Sequence, residues 1–198
     1  MSQIFWTDKN SEPKRNHRFR VSFEGLKRML KVDDINWMAE KVDRPKPSTA
    51  YNELQYYQHT FKYPGRTTWN DVTMTFRDPA VPDVMAGIYA VFRKSGYDIP
   101  NSPAMMTTIS KKRMVAAVGD ITCAVLNSDG VEIEKWVLRN AQIADITPST
   151  LTHTDTEFAR IDLTIKYDFA ELNVNKAYGY EEDNPVRSSL NATGAEEV

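Results

Sequence analysis

Apolar and polar residues alternate strictly in three stretches of the chain, a pattern typical of strands with one buried face. The first stretch is His17 to Phe23 and the second is Asp71 to Arg77. The third and longest stretch runs from Phe158 to Phe169. Its apolar face is Ile161, Leu163, Ile165, Tyr167 and Phe169, and its polar face is Arg160, Asp162, Thr164, Lys166 and Asp168. These patterns predict antiparallel strands that cover a core.

Weaker alternation predicts four further strands, which cover Ile35–Val42, Leu54–Tyr63, Asp120–Leu126 and Val131–Leu138. The link from Asn127 to Gly130 reads Asn-Ser-Asp-Gly. Because these residue types favour tight turns, the last two strands are expected to form a β-hairpin. The stretch from Asp43 to Ala50 contains Pro45 and Pro47 and is predicted to be a loop, since a central strand needs the backbone N–H that proline lacks.

One amphipathic helix is predicted from Val81 to Lys94, where apolar side chains recur at helical spacing. Ser95 and Gly96 follow it as a stop signal. Residues 99–119 carry no pattern that assigns them to an element. The predicted fold class is therefore mainly β with one helix (α+β): an antiparallel β-barrel or sandwich whose apolar face is capped by that single helix.

The length of 198 residues suits one domain with extended termini. Three parts are predicted: an N-terminal arm at residues 1–15, a β domain at 16–172 and an acidic C-terminal arm at 173–198. The composition of the two arms does not support a core of their own. The formal net charge of −2 argues against a protein that grips nucleic acid through many phosphate contacts.

The first 20 residues are polar, basic and aromatic, and no stretch of the sequence approaches the roughly 20 apolar residues that a membrane span needs. We therefore expect no secretory leader and no membrane insertion of the subunit. The chain is expected to be made in a cytoplasm and to stay there or in a particle assembled there. The single cysteine, Cys123, lies in an apolar run and is expected to be buried.

The sequence offers little that points to catalysis or to a bound metal. His17, His59 and His153 are far apart in the sequence and none has the spacing of a metal-ligand pair. The eight glycines are scattered and form neither a phosphate-binding loop nor a nucleophile elbow. We therefore predict no catalytic residue, no metal and no cofactor, and a protein that is not an enzyme.

A cluster of aromatic residues follows the proline-rich stretch: Tyr51, Tyr56, Tyr57, Phe61, Tyr63 and Trp69. With Lys62 and Arg66 among them, these rings are suited to stacking bases, as in nucleic-acid-binding β-barrels. They are equally suited to packing in strands and interfaces, because tyrosine and tryptophan combine a large apolar body with one polar edge. The negative net charge favours packing over base stacking.

Three segments, in their order along the chain, resemble a known family. They are Asn16–Phe23, then Phe61–Phe76 followed directly by the predicted helix, then Val137–Ile146 followed by the strand at Phe158–Phe169. The order resembles that of the tail tube protein of T-even-like contractile-tailed bacteriophages, which is related to type VI secretion and pyocin tube proteins. The resemblance covers residues 16 to 172 and excludes the N-terminal extension and the acidic tail.

Short motifs carry the resemblance. Gly65-Arg66 and then Trp69-Asn70-Asp71 precede an alternating strand, as the family's Gly-Arg and Trp-Asp elements do. Ile146-Thr147-Pro148 occupies the place of the family's hydrophobic-Pro element before the long final strand.

The resemblance implies a compact β-barrel or sandwich with one helix, assembled into stacked, hexameric rings around a channel for genome ejection. The implied partners are further copies of the chain, the tail sheath protein, and baseplate and tail-terminator proteins. DNA would pass through the lumen without specific binding. The implied location is the tail of the virion, assembled in the host cytoplasm.

Two sets of residues are candidates for contacts in such a tube. A stiff loop that reaches beyond the barrel is suited to contacts between stacked rings, which points to Arg44, Pro45, Lys46, Pro47 and Tyr51. A channel wall for DNA needs little net positive charge, because each fixed cation on a phosphate adds affinity. The polar face of the last predicted strand balances its charges, which points to Arg160, Asp162, Thr164, Lys166 and Asp168 as lumen-facing residues. The alternative location for this face is the outer wall beneath the sheath.

Other functions remain open on the sequence. A baseplate tube initiator or a secretion-system tube protein would share these patterns. A nucleic-acid-binding β-barrel that uses the aromatic cluster is the alternative from a different class.

Overall fold

The computed structural model describes residues 13–99, 108–154 and 156–175. The strands are β1 (Phe19–Phe23), β2 (Ala39–Val42), β3 (Pro47–Tyr56), β4 (His59–Trp69), β5 (Val72–Arg77), β6 (Ile121–Leu126), β7 (Glu132–Arg139), β8 (Gln142–Pro148), β9 (Arg160–Lys166) and β10 (Phe169–Val174). The helices are α1 (Glu24–Leu30), α2 (Val84–Lys94) and α3 (Lys111–Val118).

The ten strands form two four-stranded sheets and a separate hairpin. Sheet A has the order β1-β6-β7-β10, and sheet B has the order β2-β5-β9-β8. All pairings are antiparallel, and β3 pairs with β4 alone. The three strands with the strictest predicted alternation follow it: in β1, β5 and β9 the buried residues are separated by one less buried residue each.

The core lies between the two sheets and beneath the helices. Sheet A contributes Val21, Phe23 and Ile121, and sheet B contributes the buried faces of β5 and β9. The apolar side of α2 joins the same core, together with residues of α1 and α3. The helix side chains in it are Leu26, Val84, Ile88, Val91, Met114, Ala117 and Val118.

The prediction of a single helix was wrong, because the described residues form three. The predicted helix at Val81–Lys94 is confirmed as α2, which begins three residues later, where Asp83 accepts a hydrogen bond from the Ala86 N–H at 2.8 Å. The helix α3 falls in the stretch that carried no assignable pattern, and α1 has only seven residues. Segments this short hold too few turns for a clear helical period, and tertiary packing stabilises them.

The three helices pack closely because α1 carries a glycine at its contact with α3. A Cβ on Gly25 would lie 2.4 Å from the carbonyl oxygens of Ala117 and Val118. Arg28 strengthens the contact, since its guanidinium donates to the Ala116 carbonyl at 3.0 Å.

None of the helices in the described part of the chain has the length and apolar character to cross a membrane.

The long final strand that the alternation predicted is two strands in two sheets. The chain leaves sheet B after Lys166 and enters sheet A at Phe169, with Asp168 at the corner. The Asp168 N–H donates to the Arg139 carbonyl at 3.0 Å, which fixes the corner to the end of β7. The prediction failed here because residues on both sides of the corner continue the same alternation, so the pattern contains no sign of the change of sheet.

The segment around the aromatic cluster also differs from the prediction. Leu54–Tyr63 is not one strand, because the chain reverses at Tyr57, whose backbone has a positive φ of 52°. The predicted loop at Asp43–Ala50 becomes strand from Pro47 onward. A proline is tolerated there because β3 belongs to a two-stranded ribbon and not to the centre of a sheet.

Candidate functional site

The hairpin of β3 and β4 stands apart from the body of the protein. Every residue of β3 is exposed, and every residue of β4 is exposed except Trp69, which is partly buried. A two-stranded hairpin is at best marginally stable in water without further packing. The hairpin is therefore a surface that lacks a partner within the described part of the subunit.

The outer half of this hairpin has one apolar face. Residues that pair directly across two strands share a face, and the register pairs Leu54 with Phe61, Tyr56 with His59 and Asn52 with Tyr63. We call Leu54, Tyr56, Phe61 and Tyr63 the hairpin's apolar face. Their exposed fractions are 54%, 63%, 49% and 53%. An exposed apolar cluster of this kind marks an interaction site.

The opposite face of the same hairpin is polar in its outer part, with Tyr51 and Pro64 nearer the base. Glu53 pairs with Lys62 across the strands, and their charged groups approach to 3.8 Å. Gln55 pairs with Thr60 beside them. The hairpin is thus amphipathic although neither of its faces is covered, which indicates that one specific side meets a partner.

A bulge in β4 separates the outer half of the hairpin from its base. Between the pairs Thr49–Thr67 and Tyr51–Pro64, Ala50 faces both Gly65 and Arg66. A Cβ on Gly65 would lie 3.1 Å from the carbonyl oxygen of Ala50. The glycine of the Gly-Arg motif therefore permits the two backbones to approach at the bulge, and the bulge fixes which side chains form the apolar face.

The base of the hairpin is anchored to the body by an aromatic contact. The rings of Trp69 and Tyr167 have centroids 6.0 Å apart and planes tilted by 54°. The Asn70 N–H donates to the carbonyl of Lys46 at 3.0 Å and closes the base. Burial raises the pKa of the Tyr167 phenol, which lies at the edge of the core.

Arg44 connects the hairpin's base to sheet A through a buried carboxylate. Glu134 of β7 is 7% exposed, receives an ion pair from Lys14 and lies 3.5 Å from the Arg44 guanidinium. The Trp136 indole N–H also donates to it, at 3.2 Å. Burial acts to raise the pKa of Glu134, but Lys14, Trp136 and Arg44 outweigh it and the pKa is lowered.

The structure separates the five residues that the sequence predicted as a stacking loop. Arg44, Pro45 and Lys46 lie in the connection before β3, and Pro47 is its first residue. Tyr51 pairs with Pro64 and lies on the side of Glu53, opposite the apolar face. Leu54 was not among the contact residues predicted from the sequence, and Phe61 and Tyr63 were predicted only as members of the aromatic cluster. The signal that could have found them is alternation on both sides of a turn at Tyr57.

Four of the five predicted lumen-facing residues share one surface. Arg160, Asp162, Thr164 and Lys166 all lie on the outer face of sheet B, since the alternate residues of β9 are buried. Thr75 on β5 donates to Asp162 at 2.5 Å. Asp168 does not belong to this surface: it lies at the corner, where Lys111 of α3 and Asn140 both donate to it at 2.7 Å. These two hydrogen bonds lower the pKa of the Asp168 carboxyl, and the one from Lys111 has the larger effect.

Acidic partners surround the cations on the outer face of sheet B. Glu40 pairs with both Arg77 and Arg160. Asp71 lies 3.5 Å from Lys166, and Asp43 lies 3.9 Å from Lys41. The surface therefore presents charges of both signs that neutralise one another locally.

Among the described residues, no group of three or more histidine, cysteine or acidic side chains is arranged to hold a metal ion. Cys123 is 4% exposed, as expected, and burial raises the pKa of its thiol to about 11. A thiol of this kind is unreactive at neutral pH.

No family model matches the chain, and no curated protein matches it. Solved structures share its fold. One is a chain of the sheath/tube terminator of an extracellular contractile injection system, PVC, in the extended state: 18% identity, 83% of this chain and 99% of that chain covered, TM-score 0.60. Another belongs to the tube-terminating cap of the anti-feeding prophage: 16% identity, 88% and 100% covered, TM-score 0.54.

A third similar chain comes from the PVC sheath–tube complex in the extended state, with 17% identity, 84% of this chain and 95% of that chain covered, and a TM-score of 0.52. Two of the three structures are described as parts of an extracellular contractile injection system, and the third as a tube-terminating cap. The chain shares the fold of these proteins.

Proposed function

We propose that the chain is a structural subunit of the inner tube of a contractile phage tail, a protein that forms rings and is not an enzyme. The rings, hexameric in this proposal, stack around a channel through which the genome passes. The observation that carries the proposal is the projecting hairpin with its uncovered apolar face. A subunit that functions alone gains nothing from such a hairpin, whereas a stacked subunit buries it.

The sheets supply a means of closing the ring. The strand order of sheet B leaves β2 and β8 at its two edges. Unpaired strand edges readily associate with other strands, and joining subunits edge to edge in a closed ring removes them. We therefore propose that β2 of one subunit lies beside β8 of the next.

The outer face of sheet B is the proposed channel wall. Its lysine and arginine side chains have acidic partners, so they add little binding affinity for the phosphates of passing DNA. A stack of many rings therefore slows the DNA little. Arg160, Asp162, Thr164 and Lys166 belong to this wall. Asp168 is withdrawn from it, because the corner between the sheets holds it against α3. The sheath, the baseplate and the tail terminator are the proposed partners, and the virion tail is the proposed location.

A second candidate function is that of a tube terminator, which forms a ring but stops the stack. The solved structures that share the fold include a chain of a sheath/tube terminator and a chain of a tube-terminating cap, which supports this candidate. A baseplate tube initiator and a secretion-system tube protein are the other related alternatives, because the sequence patterns do not separate them from a tube subunit. The nucleic-acid-binding β-barrel is disfavoured because the aromatic rings do not form one basic face: Lys62 lies on the side opposite Phe61 and is paired with Glu53.

Negative-stain electron microscopy of the purified protein tests the proposal. A tube subunit gives tubes of uniform width and varied length, whereas a terminator gives separate rings. Replacing two apolar-face residues, Phe61→Ser with Tyr63→Ser, should leave rings and abolish tubes. The matched control is Lys62→Ser on the polar face, which should assemble as the wild type does. Tubes of normal length from the double variant would contradict a role for the hairpin in stacking.

A further inference from the structure

The hairpin leaves the body at one end of sheet B. Its first strand follows the end of β2, and its second strand leads directly into the start of β5. The Asp43 N–H donates to the Thr73 carbonyl at 2.9 Å, so the two connections lie side by side. Lys166, the last residue of β9, lies at the same end, because Val72 of β5 pairs with Ile165. We call this the hairpin end of the sheet.

The opposite end of sheet B carries apolar side chains that are among the most exposed in the described chain. They are Trp37 (56% exposed), Val81 (87%), Leu151 (84%) and Phe158 (76%). We call these four residues the far-end patch. They come from three separate connections: the turn before β2, the link from β5 to α2, and the loop between β8 and β9.

Backbone hydrogen bonds bring these three connections together. The Arg77 N–H donates to the Met38 carbonyl at 2.8 Å, which places the neighbour of Trp37 at the end of β5. The Asp78 N–H donates to the Ala159 carbonyl at 2.9 Å, so the chain beside Phe158 meets the chain that leads to Val81.

The loop that carries Leu151 is held at the same end. The Ser149 N–H donates to the Arg160 carbonyl at 2.8 Å, two residues before Leu151. Each of the four exposed side chains thus lies within three positions in the sequence of a residue that these hydrogen bonds place at the far end of sheet B.

We propose that the far-end patch is the acceptor for the apolar face of the hairpin from a second copy of the chain. This inference rests on the proposed function and names the surface that receives the hairpin. The two uncovered surfaces lie at opposite ends of the same strands. A contact between unlike surfaces at opposite ends repeats without closing, which is the geometry of an open stack. A hairpin-to-hairpin contact would instead end after two rings.

The size of the contact explains why rings and not single subunits would stack. Aromatic side chains bury about 150–250 Å² each when fully covered, so half-exposed faces of this kind bury roughly 300–400 Å² per partner. A stable protein interface buries about 800 Å² per partner. One such contact is too small to hold two subunits, but a ring makes several at once and gains from their multivalency. The contact therefore joins rings that have already closed.

The test uses two variants that each remove one end of the contact. The hairpin variant is Phe61→Ser with Tyr63→Ser, and the patch variant is Leu151→Ser with Phe158→Ser. Each alone should form single rings and lose tubes. When separately purified rings of both are mixed, the intact hairpins of the patch variant meet the intact patch of the hairpin variant. Only pairs of rings should form, because the two remaining ends are both disabled. The control is Val131→Ser, an exposed apolar residue in the β6–β7 turn, which should form normal tubes.

Three results would overturn the inference: normal tubes from the patch variant, pairs of rings from the patch variant alone, or no pairs in the mixture.

A photoreactive benzoylphenylalanine at position 61 provides a second measurement that does not depend on tubes. In concentrated protein it should cross-link to peptides that contain Trp37, Val81, Leu151 or Phe158 of a second copy. Cross-links to the hairpin, to residues 1–12 or to residues 176–198 would reject the far-end patch as acceptor. Absence of rings and tubes from the wild type would contradict the proposed function, and the cross-link map would still decide the inference.

Discussion

Arg77 and Arg160 lie directly opposite each other on β5 and β9, and the carboxylate of Glu40 bridges them. Its Oε2 lies 3.4 Å from Nε of Arg77 and 3.0 Å from Nε of Arg160. Like charges directly opposite in a sheet repel each other, so the carboxylate stabilises a pairing that is otherwise unfavourable. Because β2 carries Glu40, the bridge also fastens the edge strand to the sheet.

We expect Glu40→Gln to lower the free energy of unfolding by roughly 0.5–1 kcal/mol, because partly exposed ion pairs are screened by water. The loss should shrink as salt is added, since ions also screen the repulsion between the two arginines. Urea unfolding at low and high ionic strength measures both effects. Glu53→Gln in the exposed hairpin pair is the control and should change stability little. Equal losses for both variants would argue against a special role for the bridge.

The acid stability of the protein should depend on Glu134. Its folded pKa is lowered, so the stability it contributes is fully present above the unfolded value of 4.5 and is lost as the pH falls through the lower folded value. Glu134→Gln keeps the size of the side chain and an acceptor for Trp136, but leaves Lys14 and Arg44 without their partner. We expect a loss of about 1–2 kcal/mol at pH 7.

Unfolding experiments at several pH values test this. The difference between the wild type and Glu134→Gln should narrow as the pH is lowered below about 4.5. A difference that is constant from pH 7 to pH 3 would show that the loss comes from packing and not from the charge.

The thiol of Cys123 should be protected in the folded protein. With a pKa of about 11, only about a thousandth of it is ionised at pH 8, and its burial blocks access of a reagent. We expect alkylation by iodoacetamide to be slower than that of the unfolded chain by at least about a hundredfold. Mass spectrometry of samples with and without denaturant measures the rates. Rapid labelling of the folded protein would show that sheet A opens around β6.

Two glycines in helices should respond differently to the same substitution. In Gly25→Ala the new methyl meets the backbone carbonyls of Ala117 and Val118 at 2.4 Å, so helix α3 must move, and we expect a loss of about 3 kcal/mol or more. In Gly87→Ala the nearest atom is Cδ2 at the tip of the Leu30 side chain, at 2.6 Å, and Cδ1 of Leu26 follows at 3.0 Å.

A leucine tip can rotate away, and alanine favours a helix by about 1 kcal/mol over glycine. We therefore expect Gly87→Ala to cost less than about 1.5 kcal/mol. Thermal and urea unfolding of both variants compares them. A larger loss for Gly87→Ala than for Gly25→Ala would contradict this account of the helix contacts.

The proposed channel wall predicts an effect of charge on genome passage. Asp162→Lys adds a cation to the outer face of sheet B and should leave the fold intact, because Asp162 is exposed. Repeated in every subunit, it should slow ejection of DNA, since each new cation binds phosphate. Ejection from particles that carry the variant measures the rate. Asp129→Lys in the β6–β7 turn makes the same change of charge away from the wall and should not slow ejection. Normal ejection with impaired sheath assembly would place the face of Asp162 on the outside.

The alternation of residues determined the strands that have one face on the core. In β5 and β9 the side chains that the pattern assigned inward are buried, because burial of each second residue is a local property of a pleated strand. The turn at Asn127 and the amphipathic side of α2 are also local signals, and the structure confirms both.

Tertiary structure decided what local patterns do not contain. The chain changes sheets between Lys166 and Phe169 without a break in alternation, because the corner depends on residues distant in sequence. The Arg139 carbonyl accepts from the Asp168 N–H, and the side chains of Asn140 and Lys111 donate to the Asp168 carboxylate. That corner removed Asp168 from the predicted lumen face. Likewise, the register of β3 against β4 placed Leu54 beside Phe61 and turned Tyr51 to the other side. Which residues share a face across two strands is set by pairing and by the bulge at Gly65, and pairing is a property of the folded chain.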